Sequence, residues 1–322
     1  MAGPGKLHDA AKLARNLDWN LLRTFIVIAE ASSLTDAAER LHLAQPSVSN
    51  ALKRLEERLG KRLLDRSPGR YGLTETGRRL YDEAVEVQGA ITRIATAIRD
   101  VGDEVSGHVR IAMASHVVCP LFDDALRDFH HAHPRATLSI EIQRSRDALA
   151  ALVGRRASLT VCLVHKRSPK LEYRRLYREF FGLFCGPMHP LFGREALSIE
   201  HLAGHRSVSF VTDQMDDALR PVALLRAAAG LDQRIVGTSA NLEEVRRMIL
   251  AGLGIGSLPI HVARPDVEAG RLWRLPPYDD PPAIDVHVVW NPASRMNRAE
   301  AAFRDRLVAG IEAAPIGERT YR

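Results

Sequence analysis

The sequence predicts an α/β protein in which a small helical N-terminal domain and one long helix precede a larger region of alternating strands and helices. Three patterns indicate this fold class. Apolar residues recur at helical spacing through residues 18–60, a helical pattern continues from residue 74 to residue 101, and strand-like segments alternate with helix-like segments from residue 107 onwards. The 322 residues, of which 46% are apolar and 26% charged, are enough for two folded domains.

The composition limits where the protein acts. No apolar run reaches the length of a membrane span, and residues 1–16 lack the apolar centre of a signal peptide. We therefore predict a flexible tail over residues 1–16 and a cytoplasmic protein with no membrane partner. The formal net charge of +6 mildly favours an anionic partner. Three widely spaced cysteines are predicted to be buried thiols, with a redox switch between two of them as the alternative. They are Cys119, Cys162 and Cys185.

Two short helices are predicted between residues 19 and 41. Asp18 precedes the first, WNLLRTFIVIAEA, and its carboxylate can accept the free amide protons of the first turn. Thr35 is the N-cap candidate of the second helix, whose buried side contains Ala37 and Ala38. Because alanine side chains are small, another helix can approach this side closely.

The third helix, QPSVSNALKRLEERL, has two different sides. Its apolar positions fall four, three and four residues apart and form one stripe, consisting of Val48, Leu52, Leu55 and Leu59. Two helices joined by three residues outline a helix-turn-helix, in which the polar side of the second helix meets DNA bases and phosphates. A plain helical bundle with a solvated surface is the alternative. The residues of this pair predicted to contact DNA are Thr35, Gln45, Pro46, Ser47, Ser49, Asn50, Lys53 and Arg54.

A predicted β-hairpin after the third helix favours the DNA interpretation. The turn SPGRYG lies between two short strand-like segments with several basic residues around it. A basic wing directly after a helix-turn-helix would lie beside the minor groove and is hard to explain without a polyanionic partner. We therefore predict a winged helix-turn-helix domain over residues 17–75 with double-stranded DNA as its partner. The wing residues predicted to contact DNA are Arg66, Arg70 and Tyr71.

A heptad pattern marks the long helix. Apolar residues alternate at spacings of four and three, at Leu80, Ala84, Val87, Ile91, Ile94, Ile98 and Val101. A seam this narrow favours pairing with a second helix, so we predict a dimerisation helix over residues 76–104. The alternative is an amphipathic helix that packs on its own domain. In a homodimer, two recognition helices would meet the two half-sites of an inverted repeat.

The region from residue 107 to residue 310 is predicted to form parallel-rich α/β sheets, followed by a tail over residues 311–322. Such sheets bind ligands beyond the carboxyl ends of their strands, where helix N-termini offer free amides. Hydroxyl, imidazole and guanidinium groups at these positions would suit a small anion. The predicted lining residues are Ser115, His116, Arg144, Ser145, His165, Phe210, Val211 and Thr212.

The N-terminal segment resembles the DNA-binding end of LysR-type transcriptional regulators. The resemblance rests on the double alanine, the steps Gln45-Pro46-x-Val48-Ser49, Leu55-Glu56 and Leu59-Gly60, and the LTETG ending; it continues more weakly past residue 107. The sequence departs from the family at Ala44, where a serine cap is frequent. A second departure lies at residues 154–158, GRRAS, where Gly-x-Leu-Asp is common.

The resemblance implies a quaternary structure and an effector domain. The linker helix would form a homodimer, often with further pairing into a homotetramer. The effector domain would consist of two subdomains of the type II periplasmic-binding-protein kind with a cleft between them. Subdomain I would comprise about residues 107–182 and 284–310, and subdomain II about residues 183–283. Inducer contacts in the family lie at the positions matching Ser115, His116, Arg144, Ser145 and Thr212.

The predicted function is that of a LysR-type regulator that binds promoter DNA and responds to a small organic or aromatic acid, with the transcription machinery as a further candidate partner. No enzymatic activity, cofactor or metal is predicted. The segment GLGIGS at 252–257 lies between a helix and a strand, whereas a dinucleotide-binding loop lies between a strand and a helix. The histidine pairs lack a third metal ligand nearby in the sequence. The alternative is a solute-binding or catalytic domain with a basic helical appendage. Such a protein would need neither wing arginines nor a heptad seam.

Overall fold

The computed structural model describes residues 17–65, 71–99, 105–115, 117–212, 215 and 217–322. The chain divides into two compact units, Met1–Arg99 and Asp100–Arg322. Among the helices in these described ranges, none is both long and apolar enough to cross a lipid bilayer.

The described residues of the first unit form three short helices, a two-stranded antiparallel sheet and one long helix. This order matches the predicted winged helix-turn-helix and linker helix. In the sheet, Leu64 lies opposite Leu73. The elements are α1 (Trp19–Glu30), α2 (Leu34–Leu41), α3 (Gln45–Leu59), β1 (Leu64–Asp65), β2 (Gly72–Leu73) and α4 (Glu75–Arg99).

Side chains cap the first two helices. The Asp18 carboxylate accepts a hydrogen bond from the Asn20 amide at 2.9 Å, which confirms the predicted cap of α1. The predicted Thr35 cap of α2 is wrong: Ser33 is the N-cap residue, and its hydroxyl accepts from the Asp36 amide at 3.1 Å. Ser33 has an extended backbone, as an N-cap residue requires, whereas Thr35 already lies inside the helix.

The three short helices enclose one apolar core. The stripe of α3 is buried, with Val48 and Leu55 fully covered, and it packs with Phe25 of α1. Ala37 and Ala38 are buried where α2 meets α3, in accord with the predicted close approach of two helices. The opposite side of α3 is thereby left to face outwards.

The start of α4 is fixed to the strand before it. The Thr74 hydroxyl donates to the Arg62 carbonyl at 2.8 Å and accepts from the Gly77 amide at 3.0 Å. Gly77 passes so near β1 that a Cβ atom built on it would lie 2.1 Å from the Leu63 carbonyl oxygen. Only glycine fits this approach without displacing backbone.

The heptad seam divides between two environments along α4. Leu80 packs against the apolar core of the first unit and Ala84 is buried in it, so the beginning of the seam serves its own domain. Val87 and Ile91, one turn further on, are 41% and 37% exposed. The Ile94 and Ile98 side chains and Val101 lie outside the described part of the chain.

The second unit contains ten strands, six α-helices and two short 3-10 helices, Ile199–Leu202 and Asp232–Arg234, in its described ranges. Its α-helices are α5 (Pro120–Ala132), α6 (Ser145–Val153), α7 (Arg220–Ala228), α8 (Leu242–Leu250), α9 (Ile260–Glu268) and α10 (Arg298–Ala313). Its strands are β3 (Gly107–Met113), β4 (Ala136–Ile142), β5 (Leu159–Leu163), β6 (Glu172–Cys185), β7 (Ser207–Phe210), β8 (Ile235–Ser239), β9 (Ile255–Pro259), β10 (Trp273–Leu275), β11 (Ala283–Trp290) and β12 (Thr320–Tyr321).

The strands follow the order β4-β3-β5-β11-β6-β9-β7-β8. The first half-sheet consists of β4, β3, β5, β11 and the first part of β6. The second half-sheet consists of the last part of β6, β9, β7 and β8. Within the halves, β3 runs parallel to β4 and β5, and β7 runs parallel to β8 and β9, as the βα alternation predicts. Helices cover both faces of the first half-sheet. Helices α5 and α10 pack on one face, and α6 packs on the other.

Two crossing strands make the sheet mixed rather than purely parallel. β11 runs antiparallel to β5 and β6, and the end of β6 runs antiparallel to β9. The chain reaches β11 from the second half-sheet and the end of β6 from the first. Each of these segments is therefore antiparallel to the neighbouring strands of the half-sheet that it joins. Phe180 is the last residue of β6 paired with β11, at Ala283, and Phe181 is the first paired with β9, at Pro259.

The C-terminal residues differ from the predicted tail over 311–322. Helix α10 continues to Ala313, and β12 pairs in parallel with β6. The Arg319 guanidinium donates to the Arg175 and Leu176 carbonyls at 2.7 and 2.6 Å, and Arg319 is buried. A two-residue strand held largely by one arginine leaves no periodic pattern in the sequence.

The three cysteines are buried, as predicted, and none forms a disulfide. Burial raises the pKa of the Cys162 and Cys185 thiols to about 12 and also raises that of Cys119. Thiols with such pKa values stay protonated at neutral pH and react slowly. Gly252, in the sequence that resembled a nucleotide loop, follows the end of α8 with φ of 76°, so it ends a helix as predicted.

A buried carboxyl on β6 makes stability depend on pH. Glu179 is fully buried, and this burial raises the pKa of its carboxyl well above the usual range. In the unfolded chain the Glu179 carboxyl ionises at about pH 4.3. The free energy of unfolding therefore has its full value below that pH and falls as the pH rises towards the folded-state pKa. Glu179→Gln is therefore expected to raise the free energy of unfolding at about pH 8, because the neutral amide has no ionised form that the unfolded state can favour.

The measurement is thermal unfolding of parent and variant at about pH 5 and pH 8. The Glu179→Gln protein should lose less stability between the two pH values than the parent does. Glu172→Gln, at the exposed start of the same strand, is the matched control and should retain the parent's dependence. Identical pH dependence in all three proteins would contradict a protonated Glu179.

Candidate nucleic-acid interface and ligand cavity

The outward side of α3 carries the predicted DNA contacts. Six of them are exposed and Ser49 is half-buried, while the stripe beneath them is covered by α1 and α2. The core thus holds the helix from one side and presents short polar groups followed by cations on the other. The exposed residues are Gln45, Pro46, Ser47, Asn50, Lys53 and Arg54.

The N-terminus of α3 has no side-chain cap. Ala44 is the N-cap residue, and neither it nor the Gln45 side chain forms a capping hydrogen bond. A serine cap in place of Ala44 would contribute about 0.5–2 kcal/mol. The uncapped amides at this end suit a phosphate oxygen, because the helix dipole is positive there.

An exposed ion pair occupies part of the basic turn. The Lys53 ammonium lies 3.8 Å from the Glu57 carboxylate, and both side chains are more than half exposed. Such a pair contributes little to stability. A phosphate can therefore replace Glu57 as the partner of Lys53 at small cost.

Glu56 positions the strand that begins the wing. Its carboxylate accepts hydrogen bonds from the Leu63 and Leu64 amides at 2.8 and 3.3 Å, which ties the end of α3 to β1. In the sequence, Glu56 stands out only as part of the Leu55-Glu56 step. Its partners are seven and eight residues away, so helical periodicity gives no signal for this contact.

The predicted wing contacts have mixed outcomes. Tyr71 is not free to lie in a groove: its hydroxyl donates to the Ile28 carbonyl at 2.9 Å and its ring packs on the helical core. The sequence prediction for Tyr71 is therefore corrected to a contact that fixes the wing to α1. Arg66 and Arg70 lie outside the described residues. Thr35 is exposed in the first turn of α2.

A cavity of about 250 Å³ lies in the second unit, where α6 begins and β5 ends. Basic residues line one side, two leucines form an apolar part, and one carboxylate comes from the segment before α7. The lining residues are Ser145, Arg146, Leu149, Leu163, His165, Lys166 and Asp217.

Local hydrogen bonds hold the start of α6 against the strand. The Ser145 hydroxyl accepts from the Leu163 amide at 3.1 Å, so the first residue of α6 is fixed to the last residue of β5. The N-cap position belongs to Arg144, which forms no side-chain capping bond. The positive end of α6 thus meets the cavity beside the basic side chains of Arg146 and Lys166.

The structure brings two predicted effector residues to this cavity, Ser145 and His165. Arg144 precedes α6 without lining the cavity, and Val211 and Thr212, which follow β7, do not line it either. The Phe210 prediction is corrected, because this side chain is buried in the core against Phe181.

Ser115 joins the two half-sheets instead of lining this cavity. Its hydroxyl accepts from the Leu242 amide at 3.0 Å and donates to the Ala240 carbonyl at 3.3 Å. It therefore binds the N-terminus of α8, which belongs to the second half-sheet. His116 lies outside the described residues.

Sequence reasoning missed three polar lining residues. Arg146 and Lys166 each follow a predicted residue by one position, and the strand-end rule could have included them. Asp217 lies in an irregular segment, which offers no periodic signal. Within the described ranges, no group of three or more histidine, cysteine, aspartate or glutamate side chains is arranged to hold a metal ion.

Comparison with known proteins identifies both units. The family model "Bacterial regulatory helix-turn-helix protein, lysR family" matches residues 19–78, and "LysR substrate binding domain" matches residues 102–311. The RuBisCO operon transcriptional regulator of Allochromatium vinosum is 25% identical over 288 residues, which cover 89% of this chain and 94% of that protein. The DNA-binding transcriptional dual regulator OxyR of Escherichia coli (strain K12) is 25% identical over 291 residues, with 89% and 94% covered.

Solved structures share the fold. CbnR, a LysR family transcriptional regulator, has a TM-score of 0.65 at 20% identity, with 92% of this chain and 99% of that chain covered. Full-length CbnR in complex with its target DNA has a TM-score of 0.64 at 20% identity, covering 91% of this chain and 100% of that chain. The architecture of both units is therefore one that solved regulators adopt.

Proposed function

The chain belongs to the LysR family of DNA-binding transcriptional regulators, and from that premise we propose that it binds promoter DNA as a homodimer or homotetramer under the control of a small organic or aromatic acid. The family consists of transcriptional regulators, so the chain is a regulator and not an enzyme. We further propose that it acts in the cytoplasm, where promoter DNA is found, and that the transcription machinery is a partner.

The two-sided α3 carries the proposal for DNA. Its buried stripe leaves only one side for a partner, and on that side hydrogen-bonding groups precede Lys53 and Arg54 by one turn. In this proposal Gln45, Ser47, Ser49 and Asn50 meet base edges, while the two cations and the uncapped helix end meet phosphates. The wing residues Arg66 and Arg70 are proposed to add phosphate or minor-groove contacts.

Exposed apolar residues support the proposal of a homodimer. Val87 and Ile91 lie four residues apart on one side of α4, beyond the point where the seam stops serving its own core. A second α4 would remove both side chains from water and align two recognition helices. The domain bounds proposed for this assembly are residues 17–75 for DNA binding, 76–104 for dimerisation and 107–310 for the effector.

The cavity at α6 supports the proposal of an anionic effector. Arg146, His165 and Lys166 supply positive or hydrogen-bonding groups, and the start of α6 adds a positive dipole. Asp217 comes from the other side of the cleft proposed between the subdomains. An acid bound there would favour one angle between the two half-sheets, and only such differential affinity can change the spacing of the recognition helices.

Two substitutions on α3 separate sequence reading from phosphate binding. Gln45→Ala should reduce discrimination between a bound promoter fragment and unrelated DNA by about 1–3 kcal/mol and leave nonspecific affinity nearly unchanged. Arg54→Ala should weaken binding to both DNAs and lower the slope of log Kd against log salt by about one, because one fewer counterion is released.

The measurement is fluorescence anisotropy of the full chain at several salt concentrations, with fragments upstream of neighbouring open reading frames. Arg79→Ala on α4 is the matched control, because it removes the same charge from an exposed site away from α3. Identical effects of Gln45→Ala and Arg54→Ala would refute the division of roles.

A further inference from the structure

We propose that the cavity at the start of α6 binds an α-amino acid with an apolar side chain, held as a zwitterion between Arg146 and Asp217. This inference rests on the proposed function, in which the same cavity receives the effector. It narrows the effector from small acids in general to acids that also carry an ammonium group, and it makes Asp217 the residue that selects them.

The carboxylate end is defined by groups with spare hydrogen bonds. The side chains of Arg146, His165 and Lys166 form no hydrogen bond or ion pair within the described part of the chain. The Ser145 hydroxyl accepts from the Leu163 amide and still has its own proton to donate. A carboxylate here would accept from the serine hydroxyl and from a guanidinium beside an uncapped helix end.

The ammonium end is defined by Asp217. One oxygen of its carboxylate accepts from the Ala218 amide at 2.7 Å, which fixes the side chain in the segment before α7. Three basic residues line the same cavity, yet among the described residues Asp217 forms no ion pair with them within 4.0 Å. The cavity therefore presents both signs of charge, separated from each other.

Separated charges discriminate between ligand classes. A simple carboxylate would meet Arg146 favourably but would bring a second negative charge near the half-buried Asp217 with no cation of its own to pair with it, and a dicarboxylate would be repelled more strongly. A ligand with an ammonium group satisfies both ends. An α-amino acid supplies both a carboxylate for Arg146 and an ammonium group for Asp217.

Size and apolar lining limit the side chain. At about 250 Å³ the cavity lies just below the roughly 300–1,000 Å³ of typical ligand sites. Leu163 is buried and Leu149 is half-buried at the cavity, so they offer an apolar surface to the rest of the ligand. Amino acids of the size of leucine, methionine or phenylalanine fit these limits.

The test is a thermal-shift titration of the full chain with matched pairs of ligands. Each pair consists of an L-amino acid and the acid that lacks its amino group: leucine with 4-methylpentanoate, methionine with 4-(methylthio)butanoate, and phenylalanine with 3-phenylpropanoate. In at least one pair the amino acid should stabilise the protein with an affinity roughly tenfold or more above that of its partner.

Asp217→Asn should bring the affinities of the two ligands in that pair to within about a factor of three of each other, mainly by lowering the affinity for the amino acid. Asp279→Asn, an exposed aspartate outside the cavity lining, is the matched control and should leave the ratio unchanged. An unliganded melting temperature equal to that of the parent would show that Asp217→Asn is folded.

The outcomes separate this inference from the proposed function. If the acids without an amino group bind as well as the amino acids, or if Asp217→Asn leaves the ratio unchanged, the inference is overturned and an acid effector remains supported. If neither class stabilises the protein up to about 10 mM, both the inference and the assignment of this cavity to the effector are overturned.

Discussion

Gly77→Ala should unfold the first unit or destabilise it by more than about 3 kcal/mol, because the new methyl group would overlap backbone that cannot move freely. The Cβ atom would lie 2.1 Å from the Leu63 carbonyl oxygen. That oxygen also accepts from the Thr74 amide at 3.0 Å, so displacing it breaks the junction between β1 and α4. The helix propensity gained by replacing glycine, about 1 kcal/mol, is too small to compensate.

The measurement is urea unfolding of the full chain with a probe of the first unit, together with DNA affinity. Gly72→Ala is the matched control, since a Cβ atom at Gly72 would meet no atom of the described residues within 4 Å. The control should unfold near the parent's midpoint and bind DNA. Equal midpoints for both variants would show that β1 yields to the methyl group, contrary to this prediction.

Val87→Asp combined with Ile91→Asp should separate the proposed homodimer and reduce promoter affinity by at least about a hundredfold, because linked half-sites are then bound singly. Both side chains are already exposed in the single chain, so their replacement should leave the fold of the first unit intact. In the dimer, however, four buried carboxylates would face one another across the seam.

Sedimentation velocity and DNA binding measure this effect together. Arg79→Asp is the matched control: it changes the charge of each chain by the same two units at a site on α4 outside the seam, where the Arg79 side chain is 80% exposed. The control should remain dimeric, although the added negative charge weakens DNA binding moderately. A double variant that stays dimeric would show that α4 is not the dimer contact.

Periodic features of the fold were predictable from the sequence. The stripe of α3 and the cap at Asp18 follow from local rules, and the structure agrees with both. The choice between Ser33 and Thr35 as a cap was not predictable, because both residues precede an alanine-rich helix with suitable spacing. Backbone conformation before the helix decides it in favour of Ser33.

Contacts between distant parts of the chain were not predictable. Tyr71 meets Ile28 across 43 residues, and Arg319 meets Leu176 across 143. One sequence offers no signal for such pairs, so a tyrosine in a basic turn was assigned to DNA and a structured C-terminus was assigned to a tail. Asp217 was missed for the same reason, since it reaches the cavity from an irregular segment.

A single strand shared by both half-sheets limits how the second unit can deform. Sliding one half past the other would break the hydrogen bonds along β6, whereas bending between Phe180 and Phe181 would leave the ladders with β11 and β9 in place. The ladder partners change between Phe180 and Phe181, so this peptide is the natural pivot. We therefore expect a change of angle at this peptide to be easier than shear along β6, and a ligand bound in the cavity would act on the second unit through that angle.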